Sequence, residues 1–417
     1  MTEVQTNHGS ESRAMVFLIT GWYGTETVGD KAILGGICKT LLSRSPDARF
    51  ILTSSNPFYS RRTLEELELS DVVEVVDFSS VLPSEVMEEV DAVILGGGPI
   101  MDIPELFRIA RIFHQAKRLE KFVSIVGVGY GPFRRKHFQW AAKKLFKMAD
   151  SVSLREQESY KEILALGYPS LRVMMGCDPA FAYIADNDEV KAAMWGTRDL
   201  LRPSVDRPDG SDLASGSENK PMIGMALREW PRKYAVDLND SEYQEYQQYL
   251  GKYWSKWIDQ MLDNLAGSIQ LIPMNSFYIG DDDRKYLHSV HSSVNRRDRC
   301  VMKYGPADYR VIIEEIRACD VLIGMRYHSV VVATAMGIPT LAIDYTQGRG
   351  KVSAYMDLIG MSKYVLEIDK LTLDHGTKAL KNVMLHYKDI SNHLRSQTTK
   401  MRECAREAVL GPLDSIL

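Results

Sequence analysis

The sequence is short of the features that assign a function at sight. Its five cysteines are an odd number without a C-x-x-C pair. They argue against a disulfide framework and a thiolate metal site, and suit a reducing cytoplasm. No apolar run approaches the roughly 20 residues of a spanning helix, and the polar start, Met1 to Arg13, lacks an apolar core. A soluble cytoplasmic protein is expected, with contact at the inner face of a membrane left open. Neither charge dominates: 51 Lys and Arg stand against 55 Asp and Glu, a formal net charge of −4. That balance gives no general attraction for polyanions and makes nucleic acid a poor partner. No metal-ligand cluster is evident, and the first glycine loop lacks the G-x-G-x-x-G spacing of a dinucleotide fingerprint.

What the chain does have is a βα rhythm over 417 residues, more than one ordinary core accommodates. Short apolar runs such as Val16–Ile19, Ala92–Leu95 and Phe122–Val126 read as buried parallel strands separated by helical stretches. Composition then divides the chain. Residues 1–13 form a flexible tail and 14–200 a first α/β domain. Residues 201–220, rich in Pro, Asp, Ser and Gly, form a linker or insertion. Residues 221–372 form a second α/β domain, and 373–417 are helical and able to cross back to the first.

The chemistry-bearing residues sit where strands end. Val321–Gly324 reads as a strand that delivers Arg326 and His328 to its C-terminal edge, where open α/β sheets bind ligands. Met222–Leu227 delivers Arg228, and Ser151–Leu154 delivers Arg155, whose ordinary role would be a surface pair with Glu158. Lys351 follows Tyr345 in a basic loop. Three strands run into glycine-rich segments carrying Gly24, Gly29 and Asp30, then Gly97 and Gly98, then Tyr130. Loops on one rim of a parallel sheet make a shared ligand floor. Asp178 before Pro179 reads as a turn cap, and Asp281-Asp282-Asp283 as a solvated face.

These segments carry a resemblance to the polysaccharide pyruvyltransferase family. The matching pieces are Gly21 to Leu34 with its Gly29-Asp30 run, Gly96-Gly97-Gly98, Gly127 to Pro132, Ser153-Leu154-Arg155-Glu156, Asp178-Pro179-Ala180-Phe181, and Arg326-Tyr327-His328 with Gly337-Ile338-Pro339 and Tyr345. They are collinear and span Val16 to Lys351. Two positions depart from the family pattern: Thr27 stands where asparagine is usual, and Lys31 where glutamate is common.

The resemblance implies two Rossmann-like domains facing across a cleft, as in glycosyltransferases of the B type. It implies transfer of a pyruvyl group from phosphoenolpyruvate to a saccharide as a cyclic ketal, with phosphate released and no cofactor or metal. A dianionic three-carbon donor requires several fixed cations, which Arg228, Arg326, Arg155 and Lys351 can supply. His328 is expected to move protons, beside Arg326, because imidazole titrates near neutral pH. Gly24, Gly29, Asp30, Gly97, Gly98 and Tyr130 are expected on the acceptor side. Whether the acceptor is lipid-linked, and whether the protein oligomerises, stays open. So do two alternatives: a nucleotide-sugar-dependent glycosyltransferase and a non-catalytic glycan-binding relative.

Overall fold

Parallel strands cannot be joined by tight turns, so each apolar run must be followed by a crossover, and helices supply most of these connections. The computed structural model describes residues 13–78, 82–186, 220–235, 238–265, 267–277, 281–305, 308–346 and 350–417. The expected linker over 201–220 and tail over 1–13 fall almost wholly outside them. Among the described residues the strands form two sheets. The first contains β1 (Val16–Gly21), β2 (Arg49–Ser54), β3 (Val73–Asp77), β4 (Ala92–Gly96), β5 (Pro99–Ile100), β6 (Phe122–Tyr130), β7 (Ser151–Leu154) and β8 (Arg172–Met175). Its order is β3-β2-β1-β4-β6-β7-β8, with β5 beside β6. The second contains β9 (Met222–Ala226), β10 (Ser268–Leu271), β11 (Cys300–Met302), β12 (Val321–Gly324), β13 (Thr340–Asp344) and β14 (Val365–Glu367), in the order β11-β10-β9-β12-β13-β14. Pairing within both sheets is parallel.

The central strands β1 and β4 are buried along their whole length, which explains their continuous rather than alternating apolar pattern. Two boundaries differ from expectation. The first helix runs Val28–Arg44, so Gly29 and Asp30 lie in its opening turn rather than in a loop. Strand β6 runs through its glycines to Tyr130, with a register shift against β7 between Ile125 and Val128 and Gly127 at φ 61. Glycine tolerates that positive φ, which lets the strand kink without ending.

Among the described residues several connections join the halves, and three bear on the fold as a whole. Thr27 forms an antiparallel bridge with Asn275, flanked by Val28 N donating to Met274 O at 3.1 Å and Ser276 N to Glu26 O at 3.2 Å. The helix Tyr387–Leu410 spans both sheets: Ser391 Oγ donates to Gly337 O at 2.8 Å, and Ser151 Oγ of β7 donates to Pro412 O, just past the helix, at 2.6 Å. It also brings Cys404 onto Cys177, and the two form a disulfide with Cα atoms 5.5 Å apart. This corrects the expectation of no disulfide. The partners are 227 residues apart, and only the returning helix makes them neighbours.

The third connection is electrostatic. Lys31 Nζ lies 2.7 Å from Glu66 Oε2 and 3.6 Å from Glu26 Oε2, all three side chains nearly fully buried. Arg62 closes the network onto both carboxylates at 2.6 and 3.1 Å. Glu66 Oε2 also accepts the backbone N–H of Tyr309, the first residue of a helix in the second half, at 2.8 Å. A carboxylate at a helix N-terminus is favoured by the aligned peptide dipoles. Removing one partner of a buried pair strands the other, so Lys31→Ala should lower stability by about 3–5 kcal/mol. Denaturant unfolding measures this, and an unchanged curve would show that the network does not hold the fold.

Candidate functional site

Doubly wound sheets leave a crevice where the strand order reverses. In the first sheet that point lies between β1 and β4, and in the second between β9 and β12. The residues that follow these strands include Asp30, Gly97 and Gly98 in one half, and Arg228, Arg326 and His328 in the other. The Thr27–Asn275 bridge turns the two crevices toward each other.

They also meet where Gly29 packs against His328. A Cβ on Gly29 would stand 1.8 Å from His328 Nδ1, so only glycine admits the ring here. His328 lies in the first turn of the helix Tyr327–Ala335, with Arg326 at its N-cap position. Its Nε2 stands 3.4 Å from Asp178 Oδ2 and is buried without a hydrogen-bond partner among the described residues. Asp178 also takes the Arg155 guanidinium in a buried ion pair, and its Oδ1 accepts Ala180 N at 3.0 Å. Burial alone would raise the Asp178 carboxyl, but Arg155 and His328 outweigh it and hold it below the usual carboxylate range. For His328 burial wins. It keeps the imidazole below its ordinary value, with Asp178 opposing the shift and Arg155 and Lys351 assisting it.

The segment carrying Asp178 is clamped by backbone. A Cβ on Gly36 would lie 1.9 Å from Pro179 O, and one on Gly127 2.3 Å from Pro179 Cδ. The Cys177–Cys404 bridge holds the residue before. Side chains of Arg155, Asp178, Tyr327, Lys351 and Tyr355 line a narrow cleft at this point. Tyr327 lies beneath two cations, with Arg155 5.1 Å and Lys351 6.0 Å from its ring centre. Asp30 faces the same charges. Burial pushes its carboxyl up to about 7, against the pull of Lys351 and Arg155. A Cβ on Gly98 would stand 4.0 Å from Asp30 Oδ1.

A second group of cations adjoins the first. Arg326 is forked onto the buried Asp283, with Nε 3.0 Å from Oδ2, and its Nη2 donates to Asp281 O at 3.1 Å. Arg228 Nη2 lies 3.1 Å from Asp281 Oδ2, and its guanidinium lies 5.6 Å from the Tyr345 ring centre. Arg228 and Arg326 therefore converge around one residue. The Asp281 side chain is 62% exposed, so this carboxylate covers Arg228 from the solvent side.

Of the residues expected in the site, the structure gathers Gly29, Asp30, Gly98, Arg155, His328 and Lys351 about the cleft, with Arg228 and Arg326 alongside. Gly97 lies by the Tyr23 hydroxyl. Gly24, at φ 89, makes room for the backbone of Asn56 and serves a neighbouring turn. Tyr130 is not in the cleft. The β6 kink carries it into the core on the other face of the first sheet, 4.9 Å from the Phe133 ring and 5.6 Å from Phe146. Three further readings are corrected: Arg155 pairs with buried Asp178 rather than Glu158, Asp178 does more than cap a turn, and the run Asp281–Asp283 is a solvated face only at Asp281. Asp283 is 1% exposed and Asp282 caps the helix Asp283–Ser292. Among the described residues, no three His, Cys, Asp or Glu side chains are grouped to hold a metal ion, and no helix is long and apolar enough to cross a membrane.

Comparison with known proteins gives this geometry a setting. The family model described as polysaccharide pyruvyl transferase matches residues 28–347. The amylovoran biosynthesis protein AmsJ of Erwinia amylovora is 22% identical over 341 residues, covering 79% of this chain and 74% of that protein. Among solved structures, UDP-GlcNAc 2-epimerase from Neisseria meningitidis superposes with a TM-score of 0.61 at 10% identity, over 96% of this chain and 100% of that one. UGT73P12 of Glycyrrhiza uralensis does so with a TM-score of 0.57 at 7% identity, over 97% and 95%. At these identities the likeness concerns fold alone, and it is the expected pair of Rossmann-like domains facing across a cleft.

The charge balance around His328 is open to direct measurement. Because Asp178 raises the imidazole pKa, Asp178→Asn should lower it further below the ordinary value of about 6.5. NMR titration of the histidine resonances reads this, and an upward shift would contradict the geometry.

Proposed function

The chain belongs to the polysaccharide pyruvyl transferase family, and from that premise we propose that it transfers the pyruvyl group of phosphoenolpyruvate to a saccharide diol as a cyclic ketal, releasing phosphate. The observation that carries this reading is the meeting of a buried imidazole, a carboxyl titrating near neutrality and several cations at the two facing switch points. Phosphoenolpyruvate brings a phosphate and a carboxylate on three carbons, and guanidinium forks suit both. Arg228 and Arg326, the latter held in place by Asp283, receive these groups, with the donor anion replacing the exposed Asp281 carboxylate on Arg228, while Lys351, at the start of the helix Lys351–Leu358, adds a further cation. AmsJ, named for amylovoran biosynthesis, supports an exopolysaccharide or its precursor as acceptor.

Two protons must leave the diol, one must reach the methylene carbon, and the other must leave with phosphate. His328, kept neutral by burial, accepts the proton of the first hydroxyl as its oxygen bonds to the central carbon. Asp30, whose carboxyl burial pushes up to about 7, gives its proton to the methylene carbon, which becomes the methyl group. The C–O bond to phosphate then breaks, and phosphate takes the proton held by His328. The ionised Asp30 accepts the proton of the second hydroxyl as the ring closes. Arg155 does not touch the donor in this scheme; through Asp178 it fixes the imidazole.

A phosphate-release assay with phosphoenolpyruvate and a panel of saccharides, followed by product mass measurement, tests the reading. Release of a nucleoside diphosphate from a nucleotide sugar instead would assign a glycosyltransferase. His328→Ala and Asp30→Asn should each reduce kcat by about 10²- to 10⁴-fold. The pH profile of kcat/KM should rise on an acid limb below about 6.5, where His328 loses its proton. It should fall on an alkaline limb near 7, where Asp30 loses its own. Persistence of the alkaline limb in Asp30→Asn would remove Asp30 from the mechanism.

A further inference from the structure

The helix Lys136–Met148 follows β6, and the helix Glu105–Arg118 follows the short strand β5, so both begin at the rim that carries Gly97, Gly98 and Asp30. They cover one face of the first sheet, burying Phe138, Ala141 and Leu145 from one and Ile109 and Phe113 from the other. The outward side is strongly basic although the chain as a whole is mildly acidic. From Arg134 to Lys147 there is no acidic residue. At 100° per residue, Lys136, Trp140, Lys143, Lys144 and Lys147 fall within about 100° of arc.

Trp140 is 54% exposed on this stripe, with Lys144 Nζ 4.0 Å from its ring centre. Phe107, on the neighbouring helix, is 42% exposed and lies 6.3 Å from the His137 ring. Two of the nearby acids are already engaged: Asp102 accepts the backbone N–H groups of Arg134 and Arg135 at 2.9 and 3.2 Å, and Asp150 pairs with Lys117 at 2.8 Å, while Glu158 and Glu162 stand exposed on the neighbouring helix Gln157–Leu164. Glu105 sits in the first turn of its helix, where the peptide dipole favours it.

We infer that this basic, aromatic-bearing face is a docking surface for an anionic lipid bilayer. A row of cations on one helix face matches a plane of negative headgroups, and indole and phenyl rings prefer the boundary between headgroups and acyl chains. Charge alone would suit any polyanion; rings standing exposed among the cations favour the bilayer. Both helices begin at the rim, so a bilayer on this face lies beside the segment that carries Gly97 and Gly98. The surface includes none of the residues assigned to transfer chemistry, so it can be tested whether or not that chemistry is right.

The test is vesicle co-sedimentation of the full-length protein with phosphatidylglycerol-rich and pure phosphatidylcholine vesicles, beside fluorescence-detected binding to a short single-stranded DNA. Binding confined to the anionic vesicles and weakening with added salt is expected. At about fivefold per cation, Lys136→Gln/Lys144→Gln/Lys147→Gln should bind about 100-fold more weakly. Trp140→Ala should weaken binding at unchanged charge. Thermal unfolding of the variants confirms that they fold. Equal binding to both vesicle types, wild-type binding by the folded triple variant, or tighter binding to the DNA than to the anionic vesicles would each overturn the proposal.

Discussion

One buried carboxylate ties the site to the fold. Asp178 accepts the Arg155 guanidinium from the first sheet and stands 3.4 Å from the imidazole that the second half delivers. A group with two such obligations cannot drift. The backbone around it is packed where glycine alone allows, with Gly36 and Gly127 both against Pro179, and Cys177 is bonded to the returning C-terminal helix. Positioning to a fraction of an ångström is what proton transfer demands, and support by backbone and packed elements supplies it better than a solvated loop.

Thr27 and Lys31 belong to the same logic. Lys31 lies buried against Glu66 and Glu26, so its charge is met by charges of the opposite sign. Thr27 keeps the contact across the cleft by forming the bridge to Asn275, its Oγ1 donating to Asn275 Oδ1 at 3.2 Å. Asp283 supports that bridge from below by accepting Met274 N and Asn275 N at 3.1 and 3.0 Å while it holds Arg326. The arginine of one switch point and the loop of the other are therefore mechanically linked through two residues.

The architecture was legible because parallel strands leave continuous apolar runs, and glycine segments mark where they end. Arg326, His328, Arg228 and Asp30 were legible for the same reason: each follows a strand on the ligand-binding rim. Asp178 was not, since Asp-Pro has an ordinary local role and its pairing with His328 spans 150 residues of chain. Asp283 was hidden in a run whose composition suggests water, and its burial depends on Arg326 arriving from another strand. Tyr130 misled because a kink within β6 decides which face it takes, and no periodicity predicts a kink. Cys177 and Cys404 become partners only through the crossing of the last long helix, which spacing and parity do not encode.

The Asp281 carboxylate over Arg228 gives that guanidinium a counter-ion from the chain itself. Arg326 has a separate one in the buried Asp283, so each of the two neighbouring guanidinium groups is met by its own carboxylate. In the proposed reaction the donor's arrival at Arg228 is then an exchange of one anion for another. Such an exchange favours a donor that presents two negative groups, because a single inorganic anion gains little by displacing a carboxylate already tethered to the chain.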